Sequence, residues 1–291
     1  MFGIIISAIL LLSPNFNSAK LRKLSTLIAA VSLAFLAYFS AIIIYQNISV
    51  SLFSYYLAPM LTLAFSVDRL SAFFILVIAL VSFGVTIYSA EYVEHYKSVK
   101  KKNALLSLMF GYIASMILII SSINMFSFLF FWEIMAVSSF ILVMFDYEKK
   151  ETRKAGLFYF IMTQLSTVFL LVAFLIIYHA SNSLDIKQIT SISPTLAGTA
   201  FAFLFLGFGT KAGVIPFHKW LPYAHPASPS NISALMSGIM IKVAIYGLMR
   251  FVIFVLPSSL WYGVAIFAFG VISALLGVIY ALKEHDIKRL L

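Results

Sequence analysis

The stretch FLFLGFGTKAGVIPFHKWLPYAHPASPSN, residues 203–231, decides the reading of this chain. It begins as an apolar helix, then sets Gly207, Gly209 and Gly213 around Lys211, with Pro216 close behind. Glycine weakens a helix and proline removes one of its backbone hydrogen bonds. In lipid, backbone groups freed in this way persist only where they are buried in protein or line a wet cavity. The pattern predicts a discontinuous membrane helix with Gly209, Gly213 and Pro216 at the break and Lys211 beside it. Interrupted helices near the midplane are the best sequence pointer to a transport site. The alternative is a Pro-kinked helix whose lysine snorkels outward. Lys211 sits about ten residues from the nearer end of its span, roughly 15 Å by helix rise, which is far for its stem to reach water.

Composition places that stretch in a membrane. Of 291 residues, 63% are apolar and 10% are charged, against about 25% charged in soluble domains. The apolar runs are roughly 20 residues long, not ~10-residue alternating strands, so the class is all-α and not a β-barrel. With no cysteine, the chain alone builds no disulfide, iron–sulfur cluster or thiolate metal site. The net charge of +10 is topological, not a nucleic-acid footprint.

Nine spans are predicted, at residues 2–19, 25–48, 70–90, 104–121, 124–145, 155–178, 197–221, 231–256 and 261–282. The first is the weakest, its clean apolar part stopping at Leu12 with Pro14 following, and is read as a short spanning helix. Basic residues fall on alternate loops: Lys20, Arg22 and Lys23; then Lys97 and Lys100–Lys102; then Lys149, Lys150, Arg153 and Lys154; then Lys219; then Lys283, Lys288 and Arg289. The opposite loops hold Arg69 and Lys187. By the positive-inside rule the N-terminus lies outside and the C-terminus in the cytoplasm, with the chain in the cell's inner (plasma) membrane.

Charge inside the spans carries the functional expectation. Glu133 is the one carboxylate at mid-span, and Lys211 and Lys242 lie at similar depth. Each such charge costs about 2.5–3.5 kcal/mol on insertion scales, so acid and bases together read as an ion or proton path. Burial favours the neutral form of each group and pairing the charged form, so a Glu133–Lys211 pair works as a two-state electrostatic switch. The plain alternatives are a protonated Glu133 hydrogen-bonded to a neighbouring helix, and Lys242 as a mere counter-charge. His218 and His225 follow the break and titrate near neutrality; His218 is a candidate proton feeder, and His225, in a Pro-rich loop, is read as mainly structural. Arg250, nearer the outer end, is read as an anchor or local ion-pair partner. Neither histidine has partners at metal-ligand spacing, so no metal site is expected.

These residues resemble a known family. The glutamate in FFWEIM (130–135), the lysine in GFGTKAGVIPFHKWLPYAHPASPSNISALMSG (207–238), the lysine in MIKVAIYG (240–247) and the terminal DIKRLL (286–291) are similar to motifs of the antiporter-like membrane subunits of respiratory complex I, Mrp-type Na+/H+ antiporters and group 4 hydrogenases. In detail they look like the branch that includes hydrogenase-4 component B and formate hydrogenlyase subunit 3. The resemblance implies two inverted five-helix repeats, each with a broken helix, and a central line of lysines and water. It gives Glu133 the role of pairing glutamate, Lys211 that of broken-helix lysine, Lys242 that of next relay lysine and His218 that of the histidine after the break. It implies no cofactor in this chain, with iron–sulfur and nickel–iron or flavin centres in partner subunits. The partners implied are other membrane subunits and a peripheral redox module.

Family members continue past the ninth span, so residues 1–103 are expected to be N-terminal helices 1–3, 104–256 one antiporter-like half-channel and 257–291 the start of a second repeat. A piece of a longer subunit is the expectation. The leading function is H+ or Na+ translocation in a redox-driven complex. The alternatives are an Mrp-like secondary antiporter and a non-conducting structural subunit. Glu133→Gln is expected to slow coupled proton transfer in membrane vesicles, and an unchanged rate refutes the switch.

Overall fold

The computed structural model describes residues 2–12, 18–58, 61–189 and 192–284. The terminal DIKRLL, with Lys288 and Arg289, lies outside the described residues, as do Pro14, Pro59 and Met60. The first helix, α1, runs Phe2–Leu12. The next helices start where a short polar side chain caps them. Ser18, Asp68, Ser98 and Asn124 each have extended backbone, and each side chain accepts a hydrogen bond from the N–H three residues on. They open α2 (Ala19–Gln46), α3 (Arg69–Tyr92), α4 (Val99–Ser121) and α5 (Met125–Val143). α6 spans Lys150–Ser181, and left-handed Asn47 and Asn182 close α2 and α6.

The remaining helices are α7 (Pro194–Ala212), α8 (Leu221–Ala227), α9 (Ser230–Leu235), α10 (Ile241–Phe254) and α11 (Leu260–Lys283). A π-type turn, Met236–Met240, joins α9 to α10. Taking α7–α8 and α9–α10 each as one crossing, eight helical segments among the described residues are long and apolar enough to cross a membrane, so this is a multi-pass membrane protein. The discontinuous seventh helix predicted from the glycines and Pro216 is present. α1 has 11 residues, about 17 Å of helix against a hydrocarbon core of about 30 Å.

A β-hairpin between α2 and α3 was not foreseen. β1 (Val50–Ala58) pairs antiparallel with β2 (Leu61–Val67). The segment is rich in Val, Phe, Tyr and Thr, which suit a pleated surface, and each arm is too short for a spanning helix. Asn124 Nδ2 and Ser127 Oγ donate to the Thr62 carbonyl at 2.7 and 3.1 Å, tying the hairpin to the start of α5.

α4 is the axis of the bundle: 83% of its apolar window is buried, against none of that of α11, which lies on the outside. Around it an aromatic cluster joins four helices. Phe128 of α5 meets Phe208 of α7 and Phe251 of α10 with ring centroids 5.9 and 5.5 Å apart, and Phe174 of α6 meets Phe251 at 4.6 Å. These offset and edge contacts add about 0.5–1.5 kcal/mol per pair to the burial itself. The cluster needs a glycine where α10 crosses α7, because a Cβ at Gly247 would lie 2.3 Å from the Phe208 ring. Gly247→Ala is therefore expected to destabilise by about 1–3 kcal/mol through overpacking. Its thermal unfolding midpoint in detergent should fall, and an unchanged midpoint would contradict this packing.

Candidate ion-translocation site

α7 stops at Ala212 because Gly213 adopts φ 74°, a left-handed conformation that side chains resist. A Cβ there would also meet Leu221 at 2.3 Å. The chain then turns through residues 213–216, makes a tight turn over Phe217–Trp220 and enters α8. Several of the freed backbone groups are answered by specific partners. Val214 N–H donates to the Gly209 carbonyl at 2.9 Å, Trp220 Nε1 to the Thr210 carbonyl at 2.8 Å, and Ile215 N–H to Ser273 Oγ of α11 at 3.1 Å. Upstream, Ser166 Oγ of α6 donates to the Gly207 carbonyl at 2.7 Å. Specific donors therefore hold the break open in a medium that does not tolerate unsatisfied backbone.

Lys211 occupies the last turn of α7 and is 1% exposed. Its Nζ donates to the Tyr159 hydroxyl at 3.1 Å and lies 5.1 Å from the centre of that ring. The Tyr159 hydroxyl is also 2.7 Å from Ser139 Oγ of α5 and 3.4 Å from Met240 Sδ of the π-type turn. One phenol thus joins α5, α6, α7 and the α9–α10 junction around the buried ammonium.

Glu133 does not form a direct ion pair with Lys211. Its Oε2 accepts from Gln164 Nε2 of α6 at 3.2 Å, while Oε1 is buried without a partner inside the protein. α6 is the intermediary, holding the acid through Gln164 and the base through Tyr159.

The other expected residues are scattered. Lys242 is exposed on α10, and its Nζ donates to the Ser237 carbonyl at 2.6 Å within the π-type turn, making no contact with Lys211. His218 is half-buried, stacks on Tyr280 at 5.6 Å and keeps Nδ1 buried without a partner. It lines an open cavity with Gly213, Lys219, His225 and Glu284, so this cavity reaches the helix break. His225 is buried with Nδ1 2.9 Å from Ser233 Oγ. Among the described residues, no three or more His, Cys, Asp or Glu side chains come together as a metal-binding group.

Arg250 is held at the far end of α10. Its two terminal nitrogens donate to both oxygens of Asp68 at 2.6 and 2.7 Å, and Nε donates to the Tyr246 hydroxyl at 3.1 Å. Ser71 and Tyr246 both donate to the Ile120 carbonyl at the end of α4, at 2.9 and 2.7 Å. This fork locks α3, α4 and α10 together. Burial works to raise the Asp68 carboxyl, but the Arg250 bonds and the Ser71 N–H outweigh it and hold it down at about 2.

Tyr159, Ser139 and Gln164 escaped the sequence reading. For Tyr159 and Gln164 the signal was present in GLFYFIMTQLSTVF, residues 156–169, where Tyr159, Thr163, Gln164, Ser166 and Thr167 are polar groups inside an apolar span.

Residues 122–291 match the family model described as NADH:quinone oxidoreductase/Mrp antiporter, TM, and residues 59–101 match that for the NADH-ubiquinone oxidoreductase (complex I), chain 5 N-terminus. Hydrogenase-4 component B of Escherichia coli is 43% identical over 234 residues, 79% of this chain and 34% of that protein. An uncharacterized protein of Mycobacterium tuberculosis is 36% identical over 237 residues, 81% of this chain and 37% of that protein. The chain thus spans about a third of the length of these relatives. Among solved structures, a chain of the membrane-bound sulfane sulfur reductase, an archaeal respiratory membrane complex, superposes with a TM-score of 0.81 at 21% identity, covering 99% of this chain and 60% of that one. That likeness is one of fold.

The Asp68–Arg250 fork has a pH signature. The Asp68 carboxyl drops from 3.8 to about 2 on folding, so its contribution to stability is complete above pH 3.8 and is lost as pH falls through about 2. Asp68→Asn should unfold at lower temperature than the parent at pH 7, and the gap should close between about pH 4 and 2. A gap independent of pH over that window would contradict the pairing.

Proposed function

Because the chain belongs to the NADH:quinone oxidoreductase/Mrp antiporter family of membrane subunits, we propose that it translocates protons through a half-channel in residues 104–256, as part of a redox-driven complex of the hydrogenase-4 type. The observation that carries this reading is Lys211. It is a fully buried lysine beside a helix break, bonded to a neutral phenol, with a carboxylate nearby but not in contact. A purely structural lysine would be expected to sit against a counter-ion, as Arg250 does against Asp68. An ammonium held by a hydroxyl can give up its proton without first breaking an ion pair.

In this reading Lys211 takes up and releases the proton. Tyr159 and Ser139 hold it in register, and Glu133, set by Gln164, biases its charge state. His218, beside the cavity that reaches the break, exchanges protons with the basic face. The positive-inside rule makes that face cytoplasmic, with the N-terminus outside. Lys242 faces away from this cluster, so its part in a relay rests on an occupant of the adjoining surface, in the full-length subunit or a partner. With no cysteine, these 291 residues hold no thiolate-bound cluster, and the proposal places iron–sulfur and nickel–iron or flavin centres in partner subunits.

The family also includes Mrp antiporter subunits, and sodium is the competing ion. Both readings are tested by Lys211→Ala in the full-length subunit, assembled in its complex, in inverted membrane vesicles. Redox-driven acidification should fall at least about tenfold, roughly 1.4 kcal/mol of barrier, while electron transfer by the partner module persists or slows with it. Acidification at the parental rate would make the chain a structural subunit. Sodium-driven, redox-independent proton efflux from acidified vesicles of the parent would make it an antiporter.

A further inference from the structure

A second buried polar feature lies outside the cluster around Lys211. On α3, Ser82, Thr86 and Ser89 follow one another at helical spacing, each 0% exposed. α3 runs antiparallel to α4, with Ser71 bonded to the Ile120 carbonyl near one end and Ser89 Oγ 3.3 Å from Met109 Sδ near the other. One helical turn inward from those contacts, Thr86 on α3 and Tyr112 on α4 lie at the same level. α9 closes the third side, where Asn231 Nδ2 donates to Ser89 Oγ at 3.0 Å.

Four polar atoms in this seam have no partner among the described residues: Ser82 Oγ, Thr86 Oγ1, Tyr112 Oη and Asn231 Oδ1. Many buried hydroxyls among the described residues satisfy themselves on a carbonyl of the preceding turn, as Ser115, Ser121, Ser122 and Thr163 do. Ser82 and Thr86 do not. Each orphaned polar group costs about 1–3 kcal/mol, so four together in a packed interior are not sustained by chance. Buried waters typically satisfy such groups with two to four bonds each.

The seam has two ends. At the basic face, Ser230 N–H donates to the Tyr92 hydroxyl at 3.3 Å, one residue from Asn231. At the inner end is the fully buried Tyr112 of α4, and the Tyr159 hydroxyl of α6 holds Lys211.

We propose that the α3–α4–α9 seam is a hydrated proton path, running from the Tyr92–Ser230 mouth past Asn231, Thr86, Ser82 and Tyr112 to the Tyr159–Lys211 pair. It is separate from the His218 cavity, and it rests on the proposal that Lys211 carries protons. Along it each hydroxyl or water accepts one proton on one side and releases another on the far side, so no residue changes its net charge and no co-reactant is needed.

The test uses Thr86→Val with Ser82→Ala, which keep the side-chain shapes and remove both hydroxyls, in the full-length subunit within its complex. Two readouts apply: radiolytic hydroxyl-radical labelling of Tyr112 and Met109, which requires adjacent water, and redox-driven acidification of vesicles. The parent should label at Tyr112 despite its burial. The double variant should lose that labelling several-fold and slow acidification about tenfold, with assembly intact. Absence of Tyr112 labelling in the parent, or acidification by the double variant at the parental rate, overturns the path. If the double variant is silent while Lys211→Ala stops acidification, the seam fails and the function stands. If Lys211→Ala is silent too, both fall.

Discussion

The structure turns on the placement of one ammonium, Lys211, inside apolar protein. Its burial would ordinarily be prohibitive, and almost every unusual feature of the chain bears on that cost. The left-handed Gly213 ends α7 beside it, and Trp220, Ser273 and Val214 supply partners for the opened backbone. Tyr159 offers both a hydroxyl and a ring face. The aromatic cluster of Phe128, Phe174, Phe208 and Phe251 keeps the surrounding helices fixed, so the ammonium cannot be relieved by loosening of the fold.

Arg250 shows the opposite solution to the same problem. Its guanidinium forms a two-pronged pair with Asp68 and further bonds to Tyr246 and Ser71. A fork of this kind is geometrically specific and always charged. It suits a clamp between α3 and α10, whereas a lysine on a hydroxyl suits a charge that comes and goes. In the proposed mechanism the two cations divide anchoring from exchange, and the types of residue match: arginine for the permanent pair, lysine for the titrating site.

The helix break was legible because glycine and proline act locally, and their effect at residues 207–216 needs no knowledge of neighbours. Glu133 stood out for the same reason, as a lone acid in an apolar run. What was not legible depended on long-range meeting. Asp68 and Arg250 pair across 182 positions, and no spacing rule links them. Gln164 and Tyr159 stand between Glu133 and Lys211 because α6 packs there, a fact of tertiary structure. The outward direction of Lys242 follows from which face of α10 meets α7, a matter of tertiary packing. The hairpin at residues 50–67 was passed over because its apolar residues fall on both faces and give no clean alternation.

The central claim is that Lys211 exchanges its proton under the influence of Glu133 without touching it. The most direct measurement is the nitrogen chemical shift of the Lys211 ammonium, recorded by solid-state NMR as a function of pH in the parent and in Glu133→Gln. The account predicts a resolved titration whose midpoint moves when Glu133 is neutralised. A Lys211 signal that stays in one protonation state across the accessible pH range, or a midpoint indifferent to Glu133, would contradict it.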